Sequence, residues 1–178
     1  MNSKDLDYNI FLIGFMGAGK STVAARLQQL LSVECIEMDQ QIVKEQGMAI
    51  TDIFEKYGED YFRDLESRMI SKLQNQSGLL VSCGGGVVVR PQNAALMRQN
   101  GTVILLTAEP ETIYERVHKS TERPILNDNM SVAYIAELLE KRKQKYLEAA
   151  DKRIATDNKT VDEICQEIIE YLNARSKA

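Results

Sequence analysis

The sequence predicts an α/β fold: a doubly wound, five-stranded parallel sheet with helices on both faces. Three observations carry this. Short, β-branched apolar runs recur along the chain and are nearly continuous in apolar character, as in strands covered on both faces. Helical periodicity fills the intervals between them, the alternation that builds a parallel sheet. A length of 178 residues allows one domain with a substantial core and leaves no room for a second.

In chain order, the first strand is NIFLIG (9–14), and KSTVAARLQQLL (20–31) follows as a helix with Val23, Leu27, Leu30 and Leu31 on one face. The second strand is VECIEM (33–38), after which Asp39 reads as the N-cap of a helix over QQIVKEQ. Residues 60–74 repeat helically through Phe62, Leu65, Met69 and Leu73. The third strand, GLLVSC (78–83), runs into Gly84, Gly85 and Gly86 and is expected to continue as VVV (87–89). Three glycines there give up chain entropy and bring no side chain to the core, so something must gain from the bare backbone.

Pro91 and Pro110 sit at first-turn positions and open helices over 91–99 and 110–118, on either side of the fourth strand TVILLT (102–107). KSTERPILNDNM (119–130) is polar and least patterned, a candidate mobile lid. A long helix follows over 131–150, then a weaker fifth strand, KRIAT (152–156). The last helix starts at the capping box Thr160–Glu163 and runs to about 173.

Hydrophobic residues make up 44% and charged residues 27%, with a net charge of −4. That balance offers no global basic field for nucleic acid or an anionic membrane, so an anionic ligand must be met by local Lys and Arg. Three cysteines far apart (Cys35, Cys83, Cys165) and one histidine, His118, make neither a disulfide framework nor an all-protein zinc site. Cys83, beside the glycines, reads as a small buried residue rather than a reactive thiol. Free thiols, a polar N-terminus and no run long enough for a signal peptide or a membrane span point to the cytoplasm.

The strongest motif is GFMGAGKST, which contains G-x-x-x-x-G-K-S at Gly14, Gly19, Lys20 and Ser21. It follows a strand and opens a helix, the context of a phosphate-binding P-loop. Its backbone N–H groups, through Gly17, Ala18, Gly19 and Thr22, are suited to curve around phosphate oxygens. Lys20 is expected to reach the β- and γ-phosphates, and the Ser21 hydroxyl to enter the shell of a Mg²⁺ ion. A GTPase would carry D-x-x-G and N-K-x-D; no Asp here is followed three residues later by Gly, and NKTV (158–161) lacks the final Asp. A Walker-type ATPase would end an inner strand on an acid, but LLVSC and VILLT end without one. A small-molecule kinase remains.

With these residues in view the chain resembles the shikimate kinase family nearly end to end. The P-loop, CIEMD (35–39), GEDYFRDLE (58–66), the triplet Gly84–Gly86, RPIL (123–126) and RKQKY (142–146) stand in the family's order. The resemblance implies a P-loop, nucleoside-monophosphate-kinase-like fold with a lid near 119–130 and a substrate-binding helical segment near 39–76. It also implies phosphorylation of the 3-hydroxyl of shikimate by Mg·ATP, on the route to aromatic amino acids, by a monomer.

Residue by residue, the resemblance makes Arg63 and Arg142 a clamp for the shikimate carboxylate, with Glu66 orienting Arg63. Asp39 would accept from the ring hydroxyls, and the amides of Gly84, Gly85 and Gly86 would approach the acceptor. Arg123 in the lid, with Arg116 as a second candidate, would offset charge on the transferring phosphate. The adenine would lie near ATDNKT (155–160). Glu37 would stand near Mg²⁺, through water, where the family has Asp; Gln144 replaces a family proline and should change helix shape near Arg142. Two further readings stay open: another small-molecule kinase of this fold, for gluconate or a nucleotide, and a nucleotide-dependent binding module without turnover.

Overall fold

The structure is a computed structural model and describes residues 6–118 and 131–175; Arg123 and the segment 119–130 lie outside them. Five strands form one sheet in the order β2-β3-β1-β4-β5, with β1 Asn9–Ile13, β2 Glu34–Glu37, β3 Leu79–Ser82, β4 Gly101–Thr107 and β5 Lys152–Ala155. Every pairing is parallel. All five strands fall where the apolar runs predict them. The two edge strands are half exposed, since each has a ladder partner on one side only; in β5 Ile154 alone is buried.

The helices are α1 Lys20–Leu31, α2 Met38–Gln46, α3 Ile50–Lys72, α4 Pro91–Asn100, α5 Pro110–Val117, α6 Val132–Ala149 and α7 Val161–Arg175. Alternate residues of β1 feed two cores. Ile10 and Leu12 pack with Leu27 of α1 and Ile168 of α7, while Phe11 and Ile13 pack with Ile42, Met69, Met97 and Ile135 on the opposite face. Period-2 side-chain alternation on a central parallel strand requires this two-sided burial.

Local chemistry explains most boundaries. At α7, Glu163 N–H donates to Thr160 Oγ1 at 3.3 Å and Thr160 N–H donates to Glu163 Oε2 at 2.7 Å, the reciprocal capping box. Pro91 and Pro110 occupy the first turns of α4 and α5. With Gln144 in place of a proline, α6 runs unbroken, and Gln144 Nε2 reaches Glu148 Oε1 at 2.7 Å along the helix.

Four expectations are corrected. Leu30 is 43% exposed, and α1 buries Ala24 in its place beside Val23, Leu27 and Leu31. Glu37, not Asp39, holds the N-cap position of α2; Asp39 lies in the first turn, where its charge still suits the helix dipole. Residues before 60 are helical too: α3 begins at Ile50 and changes direction at Gly58, whose φ of 82° and ψ of 171° are open to glycine. Val87–Val89 is a 3₁₀ turn rather than strand. At the end of β3, Ser82 pairs with Glu37, the last residue of β2, and with Leu12 of β1. Beyond it the neighbours turn away, so Val87 and Val89 find Gly84 and Gly86 carbonyls at 3.2 and 2.9 Å instead.

Candidate functional site

The carboxyl ends of β1, β3 and β2 lie side by side, and each hands over to a motif from the sequence. β1 leads into the P-loop, β3 into the three glycines and β2 into Glu37 and Asp39. This is the crevice where open α/β sheets bind ligands. A cleft of about 840 Å³ opens there, lined by Lys20, Ser21, Glu37, Asp39, Cys83 and Arg116 among others.

The P-loop is shaped by close approach. A Cβ on Gly14, whose φ is 146°, would overlap the Leu106 carbonyl oxygen, so β4 packs against bare backbone. Lys20 Nζ donates to the carbonyls of Gly14 at 2.8 Å and Phe15 at 3.1 Å, which sets its ammonium against the loop. Ser21 Oγ donates to Glu37 Oε2 at 3.1 Å, joining two oxygen ligands suited to a hard cation. Among the described residues no group of three or more His, Cys, Asp or Glu side chains could hold a metal by itself. A divalent ion at this pair would therefore lean on water or a ligand's phosphates. Arg116 Nη1 donates to the Gly17 carbonyl at 3.2 Å and Thr156 Oγ1 at 3.1 Å, tying the P-loop to the turn after β5.

Arg63 and Arg142 do not line that cleft; they belong to an adjoining charged cluster around Glu66. Arg63 is 4% exposed and Glu66 0%, and Arg63 Nη1 donates to Glu66 Oε2 at 2.7 Å. Glu59, a residue the sequence reading passed over, takes the rest of the fork: Arg63 Nη2 donates to its Oε1 at 2.6 Å. The spacing i−4 and i+3 around Arg63 was the available signal.

The two partners respond differently to burial. Burial opposes the charge on Arg63, but the Glu66 and Glu59 carboxylates outweigh it and raise its pKa. Glu66 is pushed up to about 7, first by burial and further by the Asp39 charge, against the pull of Arg63 and Arg142. Arg63 has two carboxylates to Glu66's one bonded guanidinium, which accounts for the asymmetry.

Three buried side-chain atoms of this cluster have no hydrogen-bond partner among the described residues: Asp39 Oδ1, Glu66 Oε1 and Arg142 Nη1. Buried polar atoms without partners cost about 1–3 kcal/mol each, so a cluster of them is a place for a polar ligand. The Arg142 guanidinium also lies over the Phe15 ring, 5.7 Å from its centroid, which joins α6 to the P-loop.

The glycine triplet accommodates this cluster. None of the three has positive φ. A Cβ on Gly86 would overlap the Arg63 guanidinium, and one on Gly84 would overlap Glu66 Oε1 and come within 2.9 Å of Asp39 Oδ1. On Gly85 it would meet the Met16 nitrogen at 3.2 Å. Cys83 is buried, and burial drives its thiol far up, which agrees with an unreactive core cysteine.

The comparisons with known proteins point one way. The family model described as shikimate kinase matches residues 16–173. A shikimate kinase of Persephonella marina is 47% identical over 161 residues, 90% of this chain and 96% of that protein. Among solved structures, shikimate kinase from Acinetobacter baumannii in complex with shikimate superposes with a TM-score of 0.92 at 31% identity, covering 97% of this chain and 98% of that one. Shikimate kinase from Aquifex aeolicus gives 0.81 at 33% identity, over 94% and 98% of the two chains.

Proposed function

The chain belongs to the shikimate kinase family, and on that premise we propose how its residues divide the work. The protein is an ATP-dependent phosphotransferase that phosphorylates shikimate, at the 3-hydroxyl, giving shikimate 3-phosphate. The observation that carries the residue assignment is the pairing of a P-loop cleft with the charged cluster around Glu66. One side suits polyphosphate; the other offers buried Asp39 and Arg142 atoms without partners among the described residues. A small ring with one carboxylate and several hydroxyls satisfies both.

Arg63, held by Glu66 and Glu59, and Arg142, stacked on Phe15, clamp the carboxylate as planar forks. Asp39 accepts from the attacking hydroxyl and orients it; proton transfer comes late in such a step. The amides of Gly84, Gly85 and Gly86 approach the acceptor. Lys20 and the loop amides from Gly14, Gly17, Ala18, Gly19 and Thr22 hold the phosphates. Arg116 keeps the nucleotide side of the cleft in register, and Arg123 is the charge that the segment 119–130 brings to the transferring phosphoryl group. Segment 119–130 serves as the lid and the helical region 39–76 as the acceptor-binding part of a single domain. Ser21 and Glu37, an all-oxygen pair, would hold Mg²⁺, which neutralises phosphate charge when bound.

Among the described residues no helix is long and apolar enough to cross a membrane. We assign the protein to the cytoplasm as a monomer that binds neither nucleic acid nor membrane, in keeping with its net charge of −4 and three free cysteines.

A coupled assay tests the assignment. ADP release that requires both Mg·ATP and shikimate supports it. Release driven by gluconate or a nucleotide instead, or nucleotide binding with no turnover, would overturn it.

A further inference from the structure

The three glycine peptides after β3 are not held in the same way. The Gly84 and Gly86 carbonyls accept from Val87 and Val89 within their own turn. The Gly85 carbonyl accepts instead from Tyr146, whose Oη comes to 2.5 Å from a helix 61 residues further along the chain. Glycines on both sides give the Gly85–Gly86 peptide no steric preference for one orientation over its flip. The tertiary bond from α6 therefore decides which way that peptide faces.

Facing matters because a trans peptide points its N–H opposite to its C=O. No cis peptide bond occurs among the described residues. With the Gly85 carbonyl turned to Tyr146, the Gly86 N–H points away from it, and it donates to no group of the protein among the described residues. The site a Gly86 Cβ would occupy is filled by the Arg63 guanidinium, so the peptide stands against the proposed carboxylate clamp.

Tyr146 also lies beside the other half of that clamp. It follows Arg142 by one helical turn on α6, so both side chains share a face. The positive charge of Arg142 acts on the Tyr146 hydroxyl and partly offsets its burial. One hydroxyl thus gives its proton to Gly85 and sits within the field of Arg142. Burial pushes the phenol up to about 12, so the proton it donates is present throughout the physiological range. The ring is 4% exposed and would pack the same way without its hydroxyl.

We propose that Tyr146 is a positioning residue of the acceptor site: its hydroxyl fixes the Gly85–Gly86 peptide beside the Arg142 fork, so that the Gly86 N–H and a guanidinium face one carboxylate. This rests on the assignment of a carboxylate acceptor made above. Tyr146 touches neither the acceptor nor the nucleotide in this arrangement; it acts through the peptide it holds.

The test is Tyr146→Phe, which keeps the ring and removes only the hydroxyl. The shikimate KM is expected to rise about tenfold, the loss of one or two good hydrogen bonds, with kcat within about twofold and the KM for ATP unchanged. A shikimate carboxamide, which lacks the negative charge, should discriminate much less between the wild-type protein and the variant. Amide NMR of the folded protein gives a second readout independent of turnover: the Gly86 amide should shift on shikimate addition in the wild type and shift much less in Tyr146→Phe. An unchanged shikimate KM, or parallel losses in kcat and in both KM values, would overturn the positioning role. If the wild-type protein itself fails to turn over shikimate, the acceptor assignment falls and Tyr146 is not the cause.

Discussion

Glu66→Gln separates two forces on one buried carboxyl, because the substitution keeps shape and an oxygen for Arg63 while removing the ionisation. In the wild type Glu66 is 0% exposed, bonded to Arg63 through Oε2, and without a partner at Oε1 among the described residues. Burial and the Asp39 charge move its pKa from 4.5 to about 7. A carboxyl raised in the folded state binds its proton more tightly there than in the unfolded chain. Its contribution to stability is therefore complete below about pH 4.5 and is lost as pH rises through about 7. From 4.5 to about 7, at about 1.4 kcal/mol per unit, the loss is about 3 kcal/mol. Urea unfolding at closely spaced pH values from 4.5 to 8 should show it as a difference of slopes. The wild type should lose about 3 kcal/mol more than Glu66→Gln across that window, whatever the offset between the two at any single pH. Parallel curves would refute the reasoning: Arg63 would then hold Glu66 ionised throughout, and the ion pair rather than burial would govern the cluster.

Three further outcomes are expected. Arg63→Ala should weaken shikimate binding at least tenfold, to judge from the loss of a charged fork, and leave ATP affinity nearly unchanged by calorimetry; an equal fall in ATP affinity would contradict the carboxylate role. Gly86→Ala should cost about 1–3 kcal/mol in denaturant unfolding as well as shikimate binding, because its Cβ displaces the Arg63 guanidinium; a variant of wild-type stability would show that Arg63 is not packed against that backbone. Thiol labelling of the native protein should begin at half-buried Cys35, even with its thiol pushed up to about 11, and leave Cys83 and Cys165 protected until unfolding; early modification of Cys83 would place it in an open site.

Much of the scaffold was legible because its signals are local. Apolar runs, first-turn prolines, the capping box at Thr160 and the P-loop each act within a few residues of themselves, so reading them in order recovered five strands and most helix positions. Leu30 and the helix before Gly58 were misread or missed because periodicity records which residues could face a core, not which ones a neighbour covers. VVV was misread for a related reason: its strand character was sound, but a strand needs a ladder partner, and both neighbours leave the sheet at that level.

The site divides the same way. The sequence by itself determined a phosphate-binding loop, the acidic end of the second strand, two arginines and a glycine triplet in one order. It could not say that Arg63 is buried between Glu59 and Glu66, or that Tyr146 holds a glycine carbonyl 61 residues away. The glycines mark the boundary most clearly. Their conformation does not require glycine, since none has positive φ. What requires it is space that Glu66 and Asp39 occupy at Gly84, the Met16 backbone at Gly85 and Arg63 at Gly86, all on elements distant in the chain. A missing Cβ acquires its purpose from whatever stands opposite it, and only the packed tertiary structure puts anything there.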